Sequence, residues 1–292
     1  SLTYPSGRAL SLSYGTTGSA DDAASRVRAL VDNDGTTHLA EYSYLGLSAP
    51  VEVDYTEPDL KYTLVGAAGG TDPDTGDIYR GLDRFGRIKD SLWYDYGRSA
   101  DADRIQYGYD PSGNRVYREN TLDPASNFDE VYSYDPIDRL TYLDRGPLNG
   151  PKNGVTSVNF AQCWDLDSTG NWRGFRQDDG QGWDLVQSRT HNEVNEITAL
   201  SESIGAQWIT PQYDRAGNMT RVPKPSDPTQ YYTCTYDAWN RLASVQDGTT
   251  PVAQYRYDGA KRRIQKTLYT SGVITEQRHF YYTEPSKWQV LE

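Results

Sequence analysis

Short runs of aromatic and β-branched residues alternating with polar ones cover most of this chain. They read Ile105-Gln106-Tyr107-Gly108-Tyr109, Val131-Tyr132-Ser133-Tyr134 and Tyr232-Thr233-Cys234-Thr235-Tyr236. They return as Val116-Tyr117-Arg118, Leu140-Thr141-Tyr142-Leu143 and Ile264-Gln265-Lys266-Thr267-Leu268-Tyr269. Period-two alternation bounded by turn residues predicts paired strands. The runs stand in twos on either side of a turn, so the predicted unit is a β-hairpin. One hairpin is marginal alone, but stacked neighbours share a face.

The turns carry a recurring phrase. An aromatic and an Asp lead, turn residues follow, then Gly or Asn, then Arg or Asn and an aliphatic. Copies begin at Tyr109-Asp110-Pro111-Ser112-Gly113, Tyr134-Asp135-Pro136, Tyr213-Asp214-Arg215-Ala216-Gly217, Tyr236-Asp237-Ala238-Trp239-Asn240 and Tyr257-Asp258. The marker positions are Asp83, Asp110, Asp135, Asp165, Asn192, Asp214, Asp237 and Asp258. The steps between them are 27, 25, 30, 27, 22, 23 and 21 residues. A period of this size signals a repeat array. Asp at the first turn position bonds the backbone two residues on, and Pro111 and Pro136 preset φ at the second. Gly86, Gly113 and Gly217 supply the left-handed conformation that closes a hairpin with a bulge. Asn240, Asn195 and Asp138 replace Gly elsewhere and tolerate positive φ. Lys261 breaks this rule, and its turn is expected to differ.

This phrase resembles that of the RHS or YD-repeat family. The resemblance covers residues 79–292 well. It covers the first 78 loosely, through Tyr4-Pro5-Ser6-Gly7-Arg8 and Glu41-Tyr42-Ser43-Tyr44-Leu45-Gly46. It implies an all-β array of hairpins that spirals into a sheet, shell or tube. In bacterial toxin complexes and polymorphic toxins such a shell encloses a C-terminal cargo polypeptide. In teneurins a related shell belongs to a cell-surface adhesion molecule. The family's self-cleaving aspartyl site lies beyond the repeats, and no segment here matches it.

Composition fits a thin sheet better than a globule. The 292 residues are 36% hydrophobic, with 24 Tyr against 5 Phe. Tyr joins an apolar ring to a polar tip, which suits a sheet with one packed and one wet face. The net charge of −12 argues against nucleic acid and anionic membranes as partners. No apolar stretch is long enough for a membrane helix. Cys163 and Cys234 form no CxxC pair, and their spacing leaves free thiols and a disulfide both open. Ser1-Leu2-Thr3-Tyr4 is neither an initiator nor a signal peptide. Trp288-Gln289-Val290-Leu291-Glu292 reads as a new strand, so a stretch of a longer protein is expected.

Residues 21–30 are the one candidate helix, with Val27 to Val31 an alternative strand start. Asp32-Asn33-Asp34-Gly35 predicts a turn and His38 to Leu45 a returning strand. Gly66 to Asp77 reads as a flexible loop dividing a degenerate part, 1–78, from the regular array, 79–292. Gly146 to Gly154 and Pro223 to Pro228 read as further loops.

Little in the chain points to catalysis. His38, His191 and His279 have no metal spacing, and His191 fills a slot that Tyr holds elsewhere. No GxSxG elbow occurs, so a hydrolase has no motif behind it. Asp72/Asp74 and Asp165/Asp167 resemble calcium loops, but the second has Arg176 where Glu is expected. Asp-rich turns also cap hairpins without metal. Asn218-Met219-Thr220 is a sequon that the turn motif already explains. Trp93, Trp164, Trp172, Trp183, Trp208 and Trp239 are candidate glycan-contact aromatics. Cross-strand aromatics also stabilise sheets for their own sake.

Two functions follow. One is a non-enzymatic scaffold, secreted or at the cell surface, that encloses a cargo polypeptide or assembles into a fibre. Its partners are further repeats or other copies of itself, joined at open strand edges. The other is an adhesion module reading a glycan or protein through loops and aromatic rows.

Overall fold

The computed structural model describes residues 1–4, 6–65, 80–123, 125–282 and 290. Two compact units divide the chain, Ser1–Phe160 and Ala161–Glu292. The boundary expected near residue 78 and the loop 66–77 lie among residues 66–79, outside those described.

In the first unit each strand pairs antiparallel with the next in sequence. The order is β1 (Leu2–Thr3), β2 (Ala9–Ser13), β3 (Ala29–Val31), β4 (His38–Leu45), β5 (Ala49–Tyr55) and β6 (Leu60–Thr63). It continues with β7 (Asp90–Asp95), β8 (Ala100–Tyr109), β9 (Arg115–Asn120), β10 (Glu130–Tyr134) and β11 (Leu140–Arg145). In the second unit β12 (Phe160–Leu166), β13 (Trp172–Asp178), β14 (Trp183–His191) and β15 (Ile197–Ile204) lie side by side in that order. A seven-stranded sheet follows. Its strands are β16 (Gln212–Tyr213), β17 (Met219–Lys224), β18 (Asp227–Tyr236), β19 (Leu242–Asp247), β20 (Thr250–Tyr257), β21 (Arg263–Thr270) and β22 (Val273–His279). Sequential antiparallel pairing is what the alternation of the sequence requires, and the fold is all-β.

Buried residues are sparse and lie mostly within strands. Ile105, Phe175, Cys234 and Ala253 are among the apolar ones, Thr63, Gln187 and Thr267 among the polar. Most strand residues are half-buried, which is where Tyr is at its best.

The repeated turn has one geometry throughout. In the copy at Asp135, the Asp135 N–H donates to the Arg139 carbonyl (2.9 Å) and the Asp138 N–H to the Asp135 carbonyl (3.0 Å). The Asp135 carboxylate Oδ1 accepts from the N–H groups of Ile137 (3.1 Å) and Arg139 (2.9 Å). Its Oδ2 accepts from Arg139 Nε at 2.7 Å. One short acidic side chain thus satisfies two backbone donors and orients the residue four places on. The fourth turn residue takes positive φ: Gly113 at 98°, Asp138 at 63°, Asn195 at 65° and Asn240 at 59°. A register shift follows at the residue before each Asp, as between Ser133 and Tyr134 and between Thr235 and Tyr236. That is the bulge a left-handed fourth residue imposes.

Four expectations need correction. The turn near 165 belongs to Asp167, whose N–H bonds the Asn171 carbonyl, while Asp165 lies within β12. Gly170 takes the left-handed place (φ 94°), and Leu166 fills the aromatic slot. The Lys261 turn does not differ. Lys261 adopts φ 69°, its N–H bonds Asp258, and Arg262 Nε reaches Asp258 Oδ2 at 2.7 Å. The candidate helix is a single turn, Ala20–Ala23, capped by the Ser19 side chain. Ser25 at φ 52° stops it, and β3 begins only at Ala29. Pro223 to Pro228 is no loop: Pro223 pairs Tyr231 and Lys224 pairs Asp227, so β17 and β18 run nearly to the turn tip.

Candidate functional site

The seam between successive copies carries the most consistent chemistry in the molecule. A Tyr stands just before the turn Asp. Its hydroxyl reaches the backbone of the residue five places after the previous turn Asp. Tyr109 donates to the Ile88 carbonyl at 2.6 Å and Tyr134 to Arg115 at 2.7 Å. Tyr236 donates to Met219 at 2.9 Å, Tyr257 to Leu242 at 2.9 Å and Tyr282 to Arg263 at 2.7 Å. The Tyr213 hydroxyl instead accepts from the Ile197 N–H at 3.3 Å. Leu166 and His191, at the same slot, have no hydroxyl to offer. The aromatic–Asp pair is therefore two linked devices. Asp closes its own turn, and Tyr ties that turn to the one before.

The residue four places after the turn Asp adds a second tie in most copies. Where it is Arg and a Tyr holds the next slot, the guanidinium lies over that Tyr: Arg87 on Tyr109 (4.5 Å), Arg241 on Tyr257 (4.7 Å) and Arg262 on Tyr282 (4.5 Å). Where it is Asn, its amide donates to the side chain of the next left-handed residue. Asn114 bonds Asp138 at 2.7 Å, Asn171 bonds Asn195 at 2.9 Å and Asn218 bonds Asn240 at 3.0 Å. Copies thus come as doublets: Gly–Asn in the first turn, then Asp or Asn at the left-handed place of the second. Sequence reading missed this, although the alternation of Gly113-Asn114 with Asp138 and of Gly217-Asn218 with Asn240 was there to find.

The turn carboxylates sit low in their titration. The Arg139 N–H, helped by the Arg139 side chain, holds Asp135 below the usual carboxylate range, and the Asn218 side-chain amide does the same for Asp214. Bonds from Asn171 and Thr169 hold Asp167 far below it.

The tryptophans fall into separate settings. Trp93 stacks on Tyr55 (6.0 Å) and meets a tilted Tyr62 ring (5.2 Å) across β5, β6 and β7. Trp164, Trp172 and Phe175 form a cluster on β12 and β13. Trp183 carries the Arg176 guanidinium at 5.0 Å, and Trp208 is half-buried. Trp239 stands at a turn tip, 67% exposed.

Among the described residues no group of three His, Cys, Asp or Glu is placed to hold a metal ion. Asp165 pairs with Arg173 (2.8 Å), and the Asp167 oxygens accept bonds from Thr169 and Asn171. Asp72 and Asp74 lie outside the described residues. His38 Nδ1 meets Glu41 at 2.6 Å on β4. Cys163 and Cys234 are both free thiols, and burial pushes the Cys234 thiol up.

No family model matches the chain, and no curated protein matches it. Solved structures do. A TcdB2-TccC3 crystal structure matches with a TM-score of 0.63 at 15% identity, over 94% of this chain and 13% of that one. The TcdB2-TccC3-TEV crystal structure matches with a TM-score of 0.63 at 15% identity, over 97% of this chain and 13% of that one. The Photorhabdus luminescens Tc holotoxin pore gives 0.62 at 14%, over 92% and 12%. The chain spans about one eighth of the length of those proteins. At this identity the likeness speaks to the fold, and it agrees with the resemblance its turns bear to YD repeats. The chain is an antiparallel β-hairpin repeat array whose fold is found within those Tc toxin structures.

Proposed function

We propose that this scaffold is non-enzymatic wall, part of a secreted or surface-displayed shell that encloses a polypeptide cargo. The observation that carries the reading is the seam. At five of the seams a turn supplies the acceptor that the next Tyr needs, so one kind of contact serves to stack hairpin on hairpin. The likeness to small stretches of much longer toxin-complex chains supports a role as wall and not as a free-standing unit.

Electron microscopy of the native particle, purified under non-denaturing conditions, tests this. A closed, hollow object with internal density is the expected result. A continuous fibre, or small monomers without a lumen, would overturn enclosure.

A further inference from the structure

The cluster on β12–β15 contains a guanidinium that the scaffold does not use up. Arg189 lies over Trp172 at 5.0 Å and over Phe175 at 5.7 Å. Among the described residues, five of the ten other arginines held over aromatics also hold a carboxylate, Arg26 through Asp21 among them. Arg87 pairs with Asp83, Arg241 with Asp237, Arg262 with Asp258 and Arg145 with Glu130. Arg189 makes no ion pair among the described residues. Its Nε donates to the neutral Gln187 Oε1 at 2.6 Å, and Gln187 Nε2 in turn holds Glu202 Oε1 at 2.7 Å. Gln187 is 1% exposed, so this tether is fixed. Burial pushes the guanidinium down from its usual value, against the opposing pull of Glu202 and Tyr213. A half-desolvated cation with no carboxylate in ion-pair contact is costly, and an incoming anion that touches it recovers part of that cost.

Beside it lies a flat apolar shelf. Trp172 stacks on Phe175, with ring centroids 5.3 Å apart and planes 23° from parallel. Trp172 remains 38% exposed. Trp164 abuts the shelf edge-on at 6.0 Å, and its indole N–H is buried without a partner among the described residues. We propose that Trp172 and Arg189 form a binding subsite for a carboxylated sugar, a uronic or sialic acid residue of a glycan. The guanidinium forks onto the carboxylate in the bidentate geometry that suits it. The aromatic shelf takes the C–H face of the ring. A phosphate would call for a second cation, which the cluster lacks. An acidic peptide side chain would satisfy Arg189 and leave the shelf bare.

The test is titration of the purified protein with 3′-sialyllactose, a glucuronate-terminated disaccharide, lactose and an aspartate-rich peptide, read by calorimetry and tryptophan fluorescence. Saturable binding of at least one acidic sugar, with lactose and the peptide inert, is expected. Arg189→Lys keeps the charge but loses the fork and should weaken binding by roughly tenfold or more, the equivalent of one charge-assisted hydrogen bond. Trp172→Ala should do likewise, and Trp239→Ala should leave binding intact. Circular dichroism and melting curves confirm that each variant is folded. No saturable sugar binding, equal binding of lactose, binding of the peptide alone, or binding indifferent to both Arg189→Lys and Trp172→Ala would overturn the proposal.

Discussion

Tyr236 donates its hydroxyl to the Met219 carbonyl at 2.9 Å, linking two turns whose marker residues, Asp237 and Asp214, close separate hairpins. The bond crosses from one copy to the next, so its loss weakens stacking and leaves each hairpin intact. Tyr236→Phe and Tyr257→Phe should each cost about 0.5–1.5 kcal/mol, the worth of one hydrogen bond. Urea melts of the single and double variants check this. Tyr236→Ala should cost more, because the ring contact goes as well.

The turn at Asn192 shows that the closing pair can be exchanged as a unit. Asn192 Oδ1 accepts from the N–H groups of Val194 (3.1 Å) and Glu196 (2.9 Å), while its Nδ2 donates to Glu196 Oε2 at 2.8 Å. At Asp135 the polarity is reversed, with the carboxylate accepting from Arg139. Asp135→Asn alone sets an amide donor against a guanidinium and should destabilise. Adding Arg139→Glu should recover part of the loss, with a coupling energy of about 0.5–3 kcal/mol in a double-mutant cycle. Additive single effects would show that the two side chains do not act as a pair.

The hairpin period was legible because its causes are local. An Asp that accepts two N–H groups and a Gly or Asn at positive φ sit within five residues of each other, as at Asp110 and Gly113. The phase at 165–167 misled because Trp164-Asp165 mimics an aromatic–Asp pair, and only the left-handed Gly170 fixes the true turn on Asp167. Pro223 and Pro228 suggested a loop, yet they sit where the ladder tolerates a missing N–H next to a tight turn. Arg189 was invisible for another reason. Its shelf is assembled across strands, from Trp172 and Phe175 fourteen or more residues away, and no local pattern encodes it.

Acid should loosen the turns. Asp135, Asp167 and Asp214 all titrate below the ordinary carboxylate value of 3.8, held there by backbone and side-chain donors. A depressed folded pKa contributes stability that is present above the unfolded value and is lost as pH falls through the folded one. The urea midpoint should therefore stay level through neutral pH and drop once pH passes below about 4. Asp214→Asn should show a shallower drop than the parent, since one of the titrating groups is gone. A midpoint that rises on acidification would contradict the assignment.

Lys261 holds φ 69° because its neighbours leave no alternative. Arg262 is fixed by Asp258 Oδ2 at 2.6 Å and by the Tyr282 ring at 4.5 Å, and the Lys261 N–H is committed to the Asp258 carbonyl at 3.1 Å. The surrounding bonds thus force a residue with a Cβ into the left-handed region, at a cost of about 1–2 kcal/mol. Gly217, at the same place in its own turn, has φ 81° and no such cost. Lys261→Gly should then stabilise the second unit by up to about 1 kcal/mol, the gain being trimmed by the greater freedom of Gly in the unfolded chain. Lys261→Asn should give a smaller gain, and the reverse change Gly217→Lys a loss. If Lys261→Gly lowers the urea midpoint, the Lys side chain contributes a contact that outweighs its backbone strain.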